Sequence, residues 1–479
     1  MLRQTEVRIV TGGSSPVDHA IISLAEMLGH FRACFARAES FAVFQPVVVS
    51  WILCLRGRTL TEVWQLTGLG SQMHFDAIYS LFASAQWDWD AIGVLLCLLI
   101  LQYLLPTGLV SIIVDDTLCH KRGKRIAFGG IFIDPVLSTK SHKILRYGLN
   151  YVVVALALRL PFRRDRYYAL PILWRVFRKK GQEGHCKRTE LAAHLIGHLA
   201  KAIPQRSFCL VADSAYINTA VLSDLPANVV VVGPLPKKAA LYLPALPKVQ
   251  GQKGAPRKKG LRLPTPAQLL ETPQLLEEMA NAHAEAFALV RDLNAAGWSA
   301  QAQQITLPKK TKQLRVQTLR GVLWYHACKQ KPVTVTLIHD PSGEWRDEVL
   351  MSTQVDTTAQ EMILAYGKRW SIELAFHDSK QYLGLEDPEV RTPRSVARAH
   401  PLAWFCLSVV LLWYALHHKE VEQVQRDRPW YKKLVGDTFT DMLGAIRLWL
   451  WKERLFGEAR EGEVNPEMVE NLLNEMAAV

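Results

Sequence analysis

The chain has 479 residues, 49% of them apolar and 21% charged, which supplies a sizeable core and argues against wholesale disorder. Lys plus Arg outnumber Asp plus Glu by 57 to 44, a formal net charge of +13 that favours a polyanionic partner, either nucleic acid or an anionic membrane. Eight scattered cysteines with no C-x-x-C pair argue against a disulfide scaffold and against zinc spacing, and read as free thiols of a reducing cytosol.

The first residues, 1–16, contain no long apolar run, so no signal peptide is expected. Residues 1–105 read as a helical region. Two short amphipathic segments flank the turn at 68–71, with Thr59 or Thr61 as a cap. They fit either a helix-turn-helix or a plain helical hairpin. Residues 91–114 are almost continuously apolar and long enough to span a bilayer. Pro106-Thr107-Gly108 interrupts them, giving an expected buried helix over 91–105 and a buried strand over 109–114. Asp115-Asp116 and His120-Lys121-Arg122 follow at once, which disfavours a membrane span.

From 109 the texture becomes α/β. Strands are expected over 109–114, 127–133, 151–160, 208–212 and 228–232, and a helix over 189–203. Residues 106–232 form the first part of this α/β unit. Residues 233–355 read as an insertion: a basic loop from Lys237 to Arg262, a helix over 268–294, and β segments at 321–327, 333–339 and 348–352. The basic loop is either a nucleic-acid-binding arm or a solvated loop. Residues 356–400 return to the α/β unit. A helical region, 401–479, closes the chain, with 402–417 as a core helix. No phosphate-cradling G-x-x-x-x-G-K-[ST] loop is present, so ATP use is not expected. Cys119-His120, His142 and His185-Cys186 lack a second pair at metal-ligand spacing and read as structural.

The chemistry concentrates in three places. Tyr366, Arg369, Glu373 and Lys380, at about 100° per residue, fall within an arc of about 60° on one helix. Alone, that stripe equally fits a surface salt-bridge ladder. Two aspartates alter the balance: Asp115 follows Ser-Ile-Ile-Val and Asp213 follows Cys-Leu-Val-Ala, each an acid held rigidly at a buried strand. Three such carboxylates suit hard divalent cations, and the neighbouring Arg and Lys suit phosphate.

On these motifs the chain resembles a bacterial insertion-sequence transposase of the DDE class, in the group with a Y-(2)-R-(3)-E-(6)-K motif. Tyr366, Arg369, Glu373 and Lys380 match that spacing, Asp213-Ser-Ala-Tyr216 matches the second aspartate motif, and Asp115-Asp116-Thr117 matches the first. The resemblance implies a ribonuclease-H-like catalytic core with a β-rich insertion, flanked by a helical DNA-binding region over 1–105 and a C-terminal helical region. It implies two Mg²⁺ or Mn²⁺ ions held by Asp115, Asp213 and Glu373, with Asp116 replacing Asp115 if the register is one off. Tyr366, Arg369 and Lys380 would grip phosphates. Arg257, Lys258 and Lys259 would contact the DNA backbone if the basic loop is a binding arm, and Trp345 or Trp324 would stack on a flipped base. The implied activity is metal-dependent cleavage at transposon ends and strand transfer into double-stranded target DNA, by a homodimer on DNA in the bacterial cytosol, with no membrane partner. Two other readings stand beside it. One is a ribonuclease-H-like nuclease or domesticated DNA-binding relative. The other is a basic membrane-associated protein anchored by residues 91–114.

Overall fold

A computed structural model describes residues 23–55, 57–123, 125–139, 141–248, 250, 253–291, 302–306, 311–422, 424, 437–456 and 469. The N-terminal residues read above for a signal peptide, the end of the 268–294 segment and most of 457–479 lie outside them. Ten strands build one mixed sheet: β1 (Val110–His120), β2 (Gly130–Ile133), β3 (Leu145–Leu160), β4 (Arg163–Val176), β5 (Phe208–Ala212), β6 (Val229–Pro234), β7 (Ala302–Thr306), β8 (Thr311–Val322), β9 (Val333–His339) and β10 (Glu348–Ser352). Their order is β2-β3-β1-β5-β6-β10-β9-β8-β7, with β4 also paired to β3. β1, β5 and β6 are parallel, while β3 runs antiparallel to β1. This mixed sheet with helical regions at both ends is consistent with a ribonuclease-H-like core.

β1 is longer than its apolar run, because β3 continues to pair with it as far as His120 opposite Gly148. That close approach requires glycine: a Cβ on Gly148 would sit 2.1 Å from the Cys119 carbonyl oxygen. β4 was not anticipated, since it opens on Arg163-Arg164-Asp165-Arg166 and carries Pro171 at a register shift. The segment 233–355 adds its strands to the same sheet, β10 pairing antiparallel with β6. Two expectations there are corrected. The strand expected at 321–327 lies upstream, where alternate residues of β8 are buried, and Tyr325–Cys328 is a helical turn. The helix expected over 268–294 is three shorter ones, Pro266–Glu271, Leu275–Ala282 and Ala284–Arg291, because Pro273 breaks the first junction.

Residues 91–114 form no single span: the helix Trp89–Leu104 ends before β1 begins. The run Pro393–His417 is long and apolar enough to cross a membrane, but 94% of its apolar window is buried inside the protein. Within it the helix Leu402–His417 buries Trp404, Trp413 and Tyr414 completely. The N-terminal helix Ala38–Leu53 is tied to the helix Trp370–Tyr382. Trp51 Nε1 donates to the Leu383 carbonyl at 2.9 Å, and the buried Arg58 guanidinium donates to the carbonyls of Trp51, Cys54 and Tyr382 at 2.7–3.0 Å. Arg447 adds a bond to the Ile52 carbonyl at 2.8 Å. These cations satisfy carbonyls that a helix C-terminus leaves without partners. The short helices Leu60–Gln65 and Asp76–Ala83 flank Gly68, whose φ of 73° makes the turn, and Thr59 caps the first by accepting from the Glu62 amide.

Candidate active site

The parallel register of β1 and β5 places Val114 beside Ala212. The next residue on each is an aspartate, so Asp115 and Asp213 are neighbours just past the end of the β1–β5 pairing, close enough for their charges to act on each other. β5 ends there. The Asp213 carboxylate accepts from the Ala215 amide at 2.9 Å, and its carbonyl from the Tyr216 and Ile217 amides at 3.2 Å, which turns the chain away. Asp115 does not end its strand as expected. It lies in mid-strand because β3 keeps pairing beyond it, Asp115 opposite Val153.

Asp115 is 17% exposed, and its carboxylate accepts from the Asp116 amide at 2.8 Å. Burial pushes its carboxyl up to about 7, helped by the Asp213 and Asp116 charges and opposed by the Asp116 amide and Arg369. Arg369 lies 3.6 Å from Asp115 and 2.8 Å from Glu373, so one guanidinium spans both acids. Burial alone would lower that guanidinium, but the Glu373 carboxylate outweighs it and holds the arginine more firmly charged. Tyr366 is hydrogen-bonded to Arg369, and burial pushes its phenol up.

The four motif residues do not share one helix. The helix Ala359–Gly367 ends after Tyr366, and a second, Trp370–Tyr382, carries Glu373 and Lys380. Between them the bonding tightens to i→i−3, with Arg369 N donating to the Tyr366 carbonyl and Ile372 N to the Arg369 carbonyl. Gly367 weakens the helix at the junction. Lys380 is not gathered with the acids. Its Nζ donates to the Leu118 carbonyl of β1 at 2.6 Å and lies 3.7 Å from Glu386.

Asp116 points to the opposite face of β1, as strand alternation requires. Its carboxylate accepts from Tyr216 Oη at 2.7 Å, Asn150 Nδ2 at 2.8 Å and Arg188 Nη1 at 2.8 Å. Burial, with the Asp116 charge, pushes the Tyr216 phenol well up. Sequence reasoning missed this lock, although Tyr216 belongs to the second motif. It also passed over Trp370, 60% exposed and one helical turn before Glu373. An indole that open is unusual on a helix whose other face is buried.

The more distant residues are not brought to the acids. Arg257 and Lys258 are exposed, while Lys259 lies 4.2 Å over the Tyr242 ring and 5.4 Å over Tyr325. Lys312 covers one face of the Trp345 ring at 4.6 Å. Trp324 is a core residue, 4% exposed.

Among the described residues no three His, Cys, Asp or Glu side chains converge closely enough to hold a metal ion. The donor chemistry nevertheless fits one at Asp115 and Asp213: two hard carboxylates, one of them buried, whose repulsion a divalent cation would relieve. Glu373 is turned toward Arg369 instead.

Residues 30–312 match the family model described as DDE superfamily endonuclease. The chain belongs to that family. The match covers more than half of the protein, takes in Asp115 and Asp213, and stops before Glu373. No curated protein matches the chain. The family makes this endonuclease a nuclease-type enzyme with DNA as its substrate class, and divalent metals are typical of such domains.

Proposed function

We propose that this endonuclease is a DNA transposase of the Y-(2)-R-(3)-E-(6)-K group, which cuts at the ends of its element and joins them to target DNA. The observation that carries the reading is that Asp115 and Asp213 each follow the last in-register pair of β1 and β5, Val114 and Ala212, and that Asp115 is linked through Arg369 to Glu373. Asp115, Asp213 and Glu373 would hold two Mg²⁺ or Mn²⁺ ions, and Asp116, held by three donors on the other face, is scaffold. Ions held there supply Lewis-acid activation of an attacking oxygen and stabilise the leaving oxygen. Arg369 sits where it can meet a phosphate if it leaves Glu373, Tyr366 steadies that arginine, and Lys380 is tied to the Leu118 carbonyl of β1. The exposed Trp370 offers a base a stacking surface, and the exposed Arg257 and Lys258 would meet backbone phosphates. The protein acts as a homodimer on double-stranded DNA in the cytosol.

Asp213→Asn and Glu373→Gln are expected to abolish Mg²⁺-dependent cleavage of element-end DNA while leaving DNA binding largely intact. Near-parental cutting by either variant would remove the metal-site assignment. A strand-transfer assay with pre-cut ends separates a transposase from an endonuclease that only cleaves.

A further inference from the structure

We propose that the cavity at the far end of β1 binds unpaired nucleotides of a DNA strand, an inference that rests on the DNA reading above. From Asp115, β1 runs five residues further to His120, about 16 Å at strand rise. There a cavity of about 1290 Å³ opens between β1, the start of β3 and the segment 386–391. Arg122, Arg125, Arg146 and Arg391 line it, all four exposed, and among the described residues none has an ion-pair partner.

The other charges on the wall are largely committed. Glu386 accepts from the His120 amide at 2.8 Å and lies 3.7 Å from Lys380, and Asp387 accepts from the Arg58 amide at 2.9 Å. Lys121 is turned into the backbone, donating to the Glu386 and Pro388 carbonyls. Glu389, the remaining acid of the wall, is exposed and lies near Lys121, so three acids line the cavity with Lys121 and the four arginines. Planar forked donors in that number suit successive phosphates of a backbone.

Phosphates alone would not call for apolar surface. Yet Leu137 and Leu145, 45% and 60% exposed, line the same cavity beside Tyr147. Leu145 is paired across the strands with Ile133, also more than half exposed. An aliphatic and aromatic wall beside unspent arginines matches a single strand, which offers base faces as well as phosphates. A duplex offers only the phosphates there, its bases being stacked on one another.

The test is fluorescence anisotropy with the full chain in EDTA, so that cleavage does not contribute. The probes are a blunt duplex and the same duplex carrying a single-stranded tail. The parent protein is expected to bind the tailed duplex about tenfold more tightly. Leu145→Ser should abolish that preference and leave blunt-duplex affinity unchanged. Arg122→Ala with Arg146→Ala should weaken binding of the tailed duplex and flatten its salt dependence. Blunt-duplex binding with no preference for the tail, or a preference that survives in both variants, overturns the cavity assignment alone. Failure to bind either probe overturns it together with the DNA reading.

Discussion

Without a cation, the Asp115 carboxylate is a cost to the fold. Burial first, then the neighbouring Asp213 and Asp116 charges, holds its carboxyl at about 7 against an ordinary 3.8. Below about pH 4 the folded and unfolded chains both keep the proton, and nothing is lost. Between about 4 and about 7 the unfolded chain releases it while the folded chain retains it, so stability falls as the pH rises; above 7 the loss is complete. From pH 5 to 7, at about 1.4 kcal/mol per pH unit, the loss is about 2.7 kcal/mol. Asp115→Asn keeps the volume and an acceptor for the Asp116 amide but removes the charge. Its stability advantage over the parent should therefore grow by about 2.7 kcal/mol between pH 5 and pH 8. With an unfolding entropy of about 2.1 cal/mol/K per residue, that is about 3 °C in Tm for a chain of this length. Calorimetry in EDTA at the two pH values reads the difference, and Mg²⁺ added at pH 8 should raise the parent's Tm more than the variant's. A difference in Tm between variant and parent that is unchanged from pH 5 to pH 8, within about 1 °C, refutes the argument that a buried, repelled carboxylate sits at Asp115.

Two further outcomes follow from the opposite faces of the site. Tyr216→Phe removes a donor from the engaged Asp116 carboxylate and should cost about 2 kcal/mol in urea unfolding; cleavage should fall far less than in Asp213→Asn, and equal loss in both would place Asp116 among the reacting groups. Trp370→Ala, at an exposed position, should leave Tm within about 1 °C while weakening DNA binding about tenfold, and unchanged affinity would remove the indole from the interface.

Much of the sheet is visible in the letters, because buried strands are short apolar runs: β5, β9 and the five residues of β10 stand where those runs stand. Where polar residues sit in the ladder, composition is silent. β1 continues through Asp115, Asp116 and Thr117, and β4 opens on four charged residues, both sustained by pairing to β3 that no local window contains. The spacing of Tyr366, Arg369, Glu373 and Lys380 suggests a single helical stripe, which the structure does not form: the break after Gly367 and the tie of Lys380 to the Leu118 carbonyl are tertiary effects. The cavity beyond His120 was not legible, since its arginines come from three separated segments.

The Asp115-Asp116 pair shows how a strand divides labour between adjacent identical residues. Period-two alternation sends one carboxylate to the side of Arg369 and Asp213 and the other to Tyr216, Asn150 and Arg188. Asp116 already meets three donors, so a cation would have to compete with them. Asp115 meets one backbone amide and a distant guanidinium, beside another acid, so its charge is under-compensated. A divalent cation gains most where carboxylates are already gathered and least neutralised, and that condition holds on the Asp115 face and fails on the other. The D-x-T spacing and the electrostatics thus both favour Asp115 in the proposed metal site, one from the order of letters and one from what each side chain touches.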